Sequence, residues 1–220
     1  MNAGHVDPGG PPLVEQIGPG LTLSKLSVGP MDNNAYLLIP DDAPAVLIDA
    51  AAEPDRLRAL IGDTEVGTIV TTHRHHDHIG ALAELARDTG ARLVAGRPDA
   101  AAIADATGTR PEPVWTGDAI GIGGSELAVL GLVGHTPGSI ALAYRPGDGR
   151  PTQLFTGDSL FPGGPGKTAN PTDFGSLMDD LESSVFGAFD DATVVRPGHG
   201  DDTTLGAERP HLTEWRDRGW

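Results

Sequence analysis

Four short apolar runs in this chain break off at a histidine or aspartate that follows a glycine or threonine: TIVTT at His73, LAVLGLVG at His135, TQLFTG at Asp158 and ATVVRPG at His199. Short apolar runs bounded by glycine read as buried strands. Their ends open into loops, and loops at one edge of a sheet are where α/β proteins gather functional groups. A single His or Asp there is ordinarily a cap or a turn residue. Four at equivalent exits ask for a fold that brings strand ends together, and the flanking glycines let backbone turn sharply or approach closely.

The rest of the chain alternates strands and helices. LTLSKLSV alternates apolar and polar residues, and the runs NAYLLI and AVLIDA are split by the turn signal PDDAP. Pro54 suits a first helical turn, and DRLRALIG follows with Leu57, Leu60 and Ile61 on one face and a glycine stop. GALAELARDTG reads as a second helix and RLVAG as a strand. PEPVWTGDAIGIGGSELAVLGLVG holds two or three short strands and SIALAYRP another. DFGSLMDDLESSVFGAF is amphipathic, with Phe174, Leu177, Leu181, Val185 and Phe186 inward, and LGAERPHLTEW closes the chain as a short helix. Heptads and solenoid repeats are absent, but the two halves share one style, and mixed sheets with helices outside would bury such elements. Residues 1–19, rich in Gly and Pro, read as a mobile tail in which His5 is solvated, leaving 20–220 as the domain.

Composition removes several alternatives. A net charge of −16 disfavours nucleic acid and anionic membrane surfaces. With no cysteine, a metal must be held by His and Asp. No apolar run approaches the ~20 residues of a membrane-spanning helix, and the N-terminus lacks signal-peptide regions, so a cytoplasmic protein is expected.

Four of the eight histidines lie in THRHHDHIG, residues 72–80. An apolar core gains nothing from such a cluster, whereas neutral imidazole is the commonest side-chain ligand for transition metals. In an extended segment His73 and His75 face the same way and could share one ion, while Asp77 and His78, past a bend into the next helix, could serve another. His76 then faces away. With His135, Asp158 and His199 the chain offers seven side-chain ligands, enough for two ions if Asp158 bridges them.

His73-x-His75-x-Asp77-His78, Gly134-His135, Gly157-Asp158 and Gly198-His199, in that order, resemble the full pattern of the metallo-β-lactamase superfamily. Within it, GHTPGS, GDSLF and PGHGDDTT resemble the glyoxalase II-like (hydroxyacylglutathione hydrolase-like) branch in its short, single-domain form. The resemblance implies an α+β fold, an αββα four-layer sandwich of two mixed sheets flanked by helices. It implies that His73, His75 and His135 hold one zinc, that Asp77, His78 and His199 hold a second, and that Asp158 bridges, with iron or manganese as alternative metals. The implied activity is thioester hydrolysis by a shared hydroxide that Asp77 orients, in a monomer or homodimer acting on a small-molecule (thio)ester.

In glyoxalase II a basic residue after the bridging aspartate anchors glutathione, and Gly164-Pro165-Gly166-Lys167 preserves it here as Lys167. Thr168 and Ala169 replace that enzyme's aromatics, and its C-terminal helical domain has no counterpart after PGHG. Two other activities on the same scaffold are alternatives. One is a persulfide dioxygenase with one iron on two His and an Asp, whose Gly-Arg-Thr-type loop GKT partly echoes; the other is a lactone or ester hydrolase.

Overall fold

The computed structural model describes residues 4–219 and places most strands in two sheets. The first contains, side by side in chain order, β1 (Leu13–Gly18), β2 (Leu21–Val28), β3 (Asn33–Pro40), β4 (Ala45–Ile48), β5 (Val66–Thr71), β6 (Arg92–Gly96) and β7 (Glu112–Val114). Strands β1 to β4 pair antiparallel and β4 to β7 parallel. Parallel neighbours need crossovers, supplied by α1 (Pro54–Ile61), by α2 (His76–Ile79) with α3 (Leu82–Thr89), and by α4 (Ala100–Thr107).

The second half adds β8 (Ala119–Ile122), β9 (Ser125–Gly131), β10 (Ile140–Tyr144), β11 (Gln153–Gly157), the ribbon β12 (Leu160–Phe161) with β13 (Gly164–Pro165), then β14 (Val194–Pro197) and β15 (Thr203–Thr204). The second sheet runs β15-β14-β11-β10-β9-β8. Its one parallel pair, β11 with β14, is bridged by α5 (Pro171–Asp180), which continues as a π-helical turn over Leu181–Phe186. Helices α6 (Leu205–Glu208) and α7 (Leu212–Arg218) end the described chain.

Strand parity builds the layers. Leu21, Leu23, Tyr36, Leu38, Val46, Ile48 and Val70 of the first sheet meet Ile120, Leu127, Val129, Ile140, Leu142 and Phe155 of the second. Leu37, Leu47 and Ile69 turn outward onto Leu57, Leu82, Leu85 and Ile103 of the helices. On the far side Ala141, Leu154 and Val195 pack on Phe174, Leu177, Leu181, Val185, Phe186 and Trp215. Helix, sheet, sheet, helix is the four-layer sandwich that the resemblance implies, and the five residues predicted to face inward from α5 and its extension are all buried.

The mobile tail expected over 1–19 is corrected over 13–18, and its residues 1–3 lie outside the described residues. Leu13–Gly18 is a strand bonded to β2, because Ile17 enters the core between the sheets and anchors it. His5 is not simply solvated. Its Nδ1 lies 2.5 Å from Asp201 Oδ1 and its Nε2 3.1 Å from Asp7 Oδ1, which ties the N-terminal segment to the loop after His199.

LTLSKLSV is buried almost throughout, Lys25 included. Parity puts Lys25 on the inner face, one step beyond Leu21 and Leu23. There Nζ donates to the carbonyls of Gly4 and Gly200 at 2.7 Å each and to Asp202 Oδ1 at 2.8 Å. Arg196 donates to Asp202 Oδ2 at 2.6 Å, to Glu15 Oε2 at 2.6 Å and to Gln153 Oε1 at 2.9 Å. Burial pushes Asp202 up and Lys25 down, each against the attraction of its partners.

Candidate metal centre

The two sheets are sewn together along the rim where the predicted ligands emerge. The amide of Ile140 donates to Thr72 O at 2.9 Å and that of Asn34 to Gly198 O at 2.7 Å, while within the second sheet the amide of Gly198 donates to Gly157 O at 2.8 Å and holds the ends of β11 and β14 together. Strand β5 leads through Thr72 into His73. His75 is still extended, with φ −64° and ψ 145°, and α2 begins at His76, so His73 and His75 project one way while Asp77 and His78 come off the helix. The approach at Gly198 demands glycine: a Cβ there would lie 2.2 Å from Asp158 Oδ1 and 2.8 Å from His78 Cε1.

The seven side chains converge. His73 Nε2 is 3.0 Å from His75 Nδ1 and 3.2 Å from His135 Nε2. His78 Nε2 is 3.1 Å from His199 Nε2, and Asp77 Oδ2 is 3.4 Å from the first and 3.3 Å from the second. Asp158 lies between these groups, with Oδ1 3.3 Å from His78 Nε2 and Oδ2 3.3 Å from His199 Nε2, 3.5 Å from His135 Nε2 and 4.0 Å from His73 Nε2. His73, His75 and His135 form one set of donors within 4.8 Å of one another; Asp77, His78 and His199 form another; and His73, His78 and Asp158 join the two.

Hydrogen bonds behind the rings decide which nitrogens carry lone pairs. His135 Nδ1 faces the Lys167 carbonyl at 2.6 Å and His199 Nδ1 the Met31 carbonyl at 2.8 Å. A carbonyl only accepts, so both Nδ1 atoms carry hydrogen and each ring turns Nε2 inward, the nitrogen that offers a lone pair to a metal. Asp49 does the same for two more ligands. Its Oδ2 accepts from His78 Nδ1 and from Thr72 Oγ1, both at 2.8 Å, and Thr72 Oγ1, its proton so used, accepts from His73 Nδ1 at 3.1 Å. Ring nitrogens facing each other at about 3 Å need a cation between them, a metal ion or, without one, a proton. Asp158 Oδ1 adds to the demand, being buried with no hydrogen bond. Five imidazoles, two carboxylates and no thiolate suit a borderline divalent ion such as zinc or iron, and outward partners of this kind fix metal-ligating histidines.

The two donor sets differ in their protons. Burial, with the charge of His78 next, pushes His73 well below the usual histidine range, and burial lowers His75 too. Burial also opposes charge on His78, but Asp49 and Asp158 outweigh it and raise the ring to about 10. His199 is raised against burial by Asp158. At neutral pH the metal-free protein therefore holds His78 protonated and His73 neutral. A metal entering the second set must displace a proton, so its affinity rises with pH up to about 10; one entering the first displaces none from His73 or His75. Calorimetric titration with Zn²⁺ at pH 7, in buffers of different ionisation enthalpy, is expected to show two binding events, one of which releases more protons than the other. Equal release in both contradicts this asymmetry.

His76 points away, with its side chain 91% exposed. His76→Ala is expected to leave metal content at the wild-type value, whereas His75→Ala, one residue away, lowers it; metal analysis of the two variants side by side is the check. Lys167 is exposed, and the bond to its carbonyl holds its backbone beside His135.

Sequence reasoning missed two residues. Asp49 ends AVLID in the left-handed region at φ 58°, a conformation that costs a non-glycine residue energy and turns its carboxylate toward Thr72 and His78. Asn33 Nδ2 donates to Asp77 Oδ2 at 2.9 Å and lies 3.4 Å from Nε2 of both His78 and His199. The one available signal was a polar residue at each end of an apolar strand.

A four-layer sandwich carrying paired His/Asp donor sets on one rim defines a metallohydrolase class. Residues 28–199 match the sequence profile of that class, and the chain belongs to the metallo-beta-lactamase superfamily. It is 27% identical over 207 residues to the hydroxyacylglutathione hydrolase GloC of Haemophilus influenzae, covering 86% of this chain and 95% of that protein. Among solved structures, TTHA1623 in a di-iron-bound form superposes with a TM-score of 0.65 at 32% identity, over 84% of this chain and 96% of that one. ETHE1 from Myxococcus xanthus superposes with a TM-score of 0.73 at 30% identity, over 89% and 84% of the two chains. No helix among the described residues is long and apolar enough to cross a membrane.

Proposed function

We propose that this protein is a dinuclear metallohydrolase that cleaves the thioester of an anionic thiol. His73, His75 and His135 would hold one ion and Asp77, His78 and His199 the other, with the Asp158 carboxylate between the two sets. The observation that carries the reading is the pair of donor sets with Asp158 lying between them, within 3.5 Å of a ring nitrogen in each. The likeness to GloC, a hydroxyacylglutathione hydrolase matched over 95% of its length, supports the substrate class. Zinc suits the donors, and iron suits them too, as the di-iron relative illustrates. Two such ions, when bound, acidify a water and polarise the carbonyl it attacks.

The chain's own residues supply the rest. Burial pushes Asp77 up, but the Asn33 amide and His78 outweigh it and hold the carboxyl below the usual range. Asp77 is thus an ionised carboxylate at neutral pH, able to orient the attacking water and accept its proton. Lys167, exposed beside His135, supplies a cation to an anionic thiol in an otherwise acidic protein. Loss of one partly exposed ion pair costs on the order of 1 kcal/mol. Lys167→Ala is therefore expected to raise KM for an anionic thioester roughly five- to tenfold, with kcat and metal content unchanged. A neutral thioester serves as the control, and an equal effect on both substrates contradicts the assignment.

A second reading rests on the third donor set. His73, His78 and Asp158 make a buried two-histidine, one-carboxylate group of the kind that holds a single iron in oxygenases. The likeness to ETHE1 supports a mono-iron oxidoreductase acting on persulfides. Metal analysis of protein purified without added metal, combined with a panel of thioesters and an oxygen electrode, separates the two. Two metals per chain with thioester turnover fit the hydrolase; one iron with persulfide-dependent oxygen uptake replaces it.

A further inference from the structure

The first donor set is split between the two halves of the molecule: His73 and His75 leave β5, and His135 stands in the loop before β10. Asp99, at the end of the β6–α4 connection, is completely buried and bonds to both loops. Its Oδ2 accepts from the backbone amide of Arg74, the residue between His73 and His75, at 3.0 Å, and from the hydroxyl of Thr136, the residue after His135, at 2.6 Å. Asp99 sits where an aspartate usually caps a helix, yet its side chain makes no capping bond to α4. Its other oxygen has no hydrogen bond, and Arg74 Nε is 3.7 Å away.

The backbone is shaped around this contact. A Cβ on Gly138 would fall 2.3 Å from Asp99 N and 2.7 Å from its Cγ, and a Cβ on Gly96 would fall 1.9 Å from Gly138 O. The loop carrying His135 thus lies directly against the β6 end, and Ser139 Oγ, 2.7 Å from Thr136 Oγ1, extends the network.

We propose that Asp99 is the positioning residue of the first metal-binding set, clamping the His73–His75 loop to the His135 loop so that the three rings converge. The proposal rests on the metal reading of that set. Ligand geometry must hold to a fraction of an ångström, and loss of a residue supporting metal ligands typically weakens binding 10- to 100-fold.

The test is Co²⁺ titration of metal-free protein, followed by visible absorption, on the wild type and on Asp99→Ala, Asp99→Asn and Thr136→Val. The wild type is expected to bind two ions in resolvable events. Asp99→Ala should weaken one event roughly 10- to 100-fold, with an altered d–d band for that ion, and leave the other unchanged. Asp99→Asn keeps an acceptor for both donors and should stay close to wild type, while Thr136→Val, which removes one of the two bonds, should weaken the same event by less. If Asp99→Ala leaves both affinities intact, or lowers both equally, Asp99 has only a structural role. Should the alanine variant not fold, a Thr136→Val protein with two unperturbed ions overturns the clamp by itself. A wild type that never binds a second ion sinks the dinuclear reading, an outcome visible before any variant is compared.

Discussion

Asp158→Ala is expected to empty both metal positions and abolish hydrolysis. Asp158 is the one carboxylate within 4 Å of donors in both sets. Burial pushes its carboxyl up, but His199 and His78 outweigh this and hold it far below the usual range, so it is an anion under all working conditions. Removing it leaves five imidazoles around a space with no central negative charge. The loss should exceed the 10- to 100-fold typical of outer-shell changes, on the order of 10³-fold in kcat/KM, with bound metal falling from about two per chain to below one. Asp158→Asn, which keeps an oxygen but not the charge, should fall between. Metal analysis and steady-state kinetics on the same preparations are the check. Retention of two metals by the alanine variant would mean that the two positions do not share this side chain.

The largest effect on stability is expected outside the donor sets, at Asp202→Ala. Lys25 is wholly buried and Arg196 nearly so, and Asp202 is bonded to both. A buried pair contributes little net stability against a well-packed apolar substitute, but removing one partner strands the other charge at a cost of about 3–5 kcal/mol. That is a large share of the roughly 5–15 kcal/mol of a whole domain. Glu15 and Gln153 still serve Arg196, whereas Lys25 retains only carbonyls, so the stranded charge is mainly the ammonium. Lys25→Met in the same chain should restore much of the loss, a coupling that a double-mutant cycle measures. Denaturant unfolding of the metal-free proteins is the measurement, and a single-variant cost under about 1 kcal/mol would show that Asp202 is not the counter-ion inferred here.

The ligands were legible in the sequence for a simple reason. His73, His135, Asp158 and His199 stand at the ends of apolar runs where packing has no use for them, so each stands out against a strand pattern. The helix over Phe174–Phe186 was legible for the opposite reason, since its burial repeats at helical spacing. What the sequence did not reveal acts through contacts between distant segments. Asp49 looks like an ordinary strand-end aspartate and Asp99 like an ordinary helix cap until the loops they bond are in place. Lys25 shares the parity of Leu21 and Leu23, but the partner that makes its burial tolerable, Asp202, comes from the far end of the chain. Strand β1 was hidden by the glycines and prolines around it, because its one deeply buried side chain, Ile17, gives no periodicity.

The sewn rim bears on how the molecule comes apart. His73 and His199 are separated by more than half of the 220-residue chain, and they stand on different sheets. Metal ions bound there would act as a removable cross-link that closes a long loop and pins one half of the sandwich to the other. Resistance to unfolding then becomes a function of free metal concentration, gaining about 2.7 kcal/mol at a hundred times the dissociation constant. A cell that withdraws the metal thus loosens the junction between the halves as well as silencing the site, so starvation for the ion and turnover of the protein become linked through a single row of strand ends.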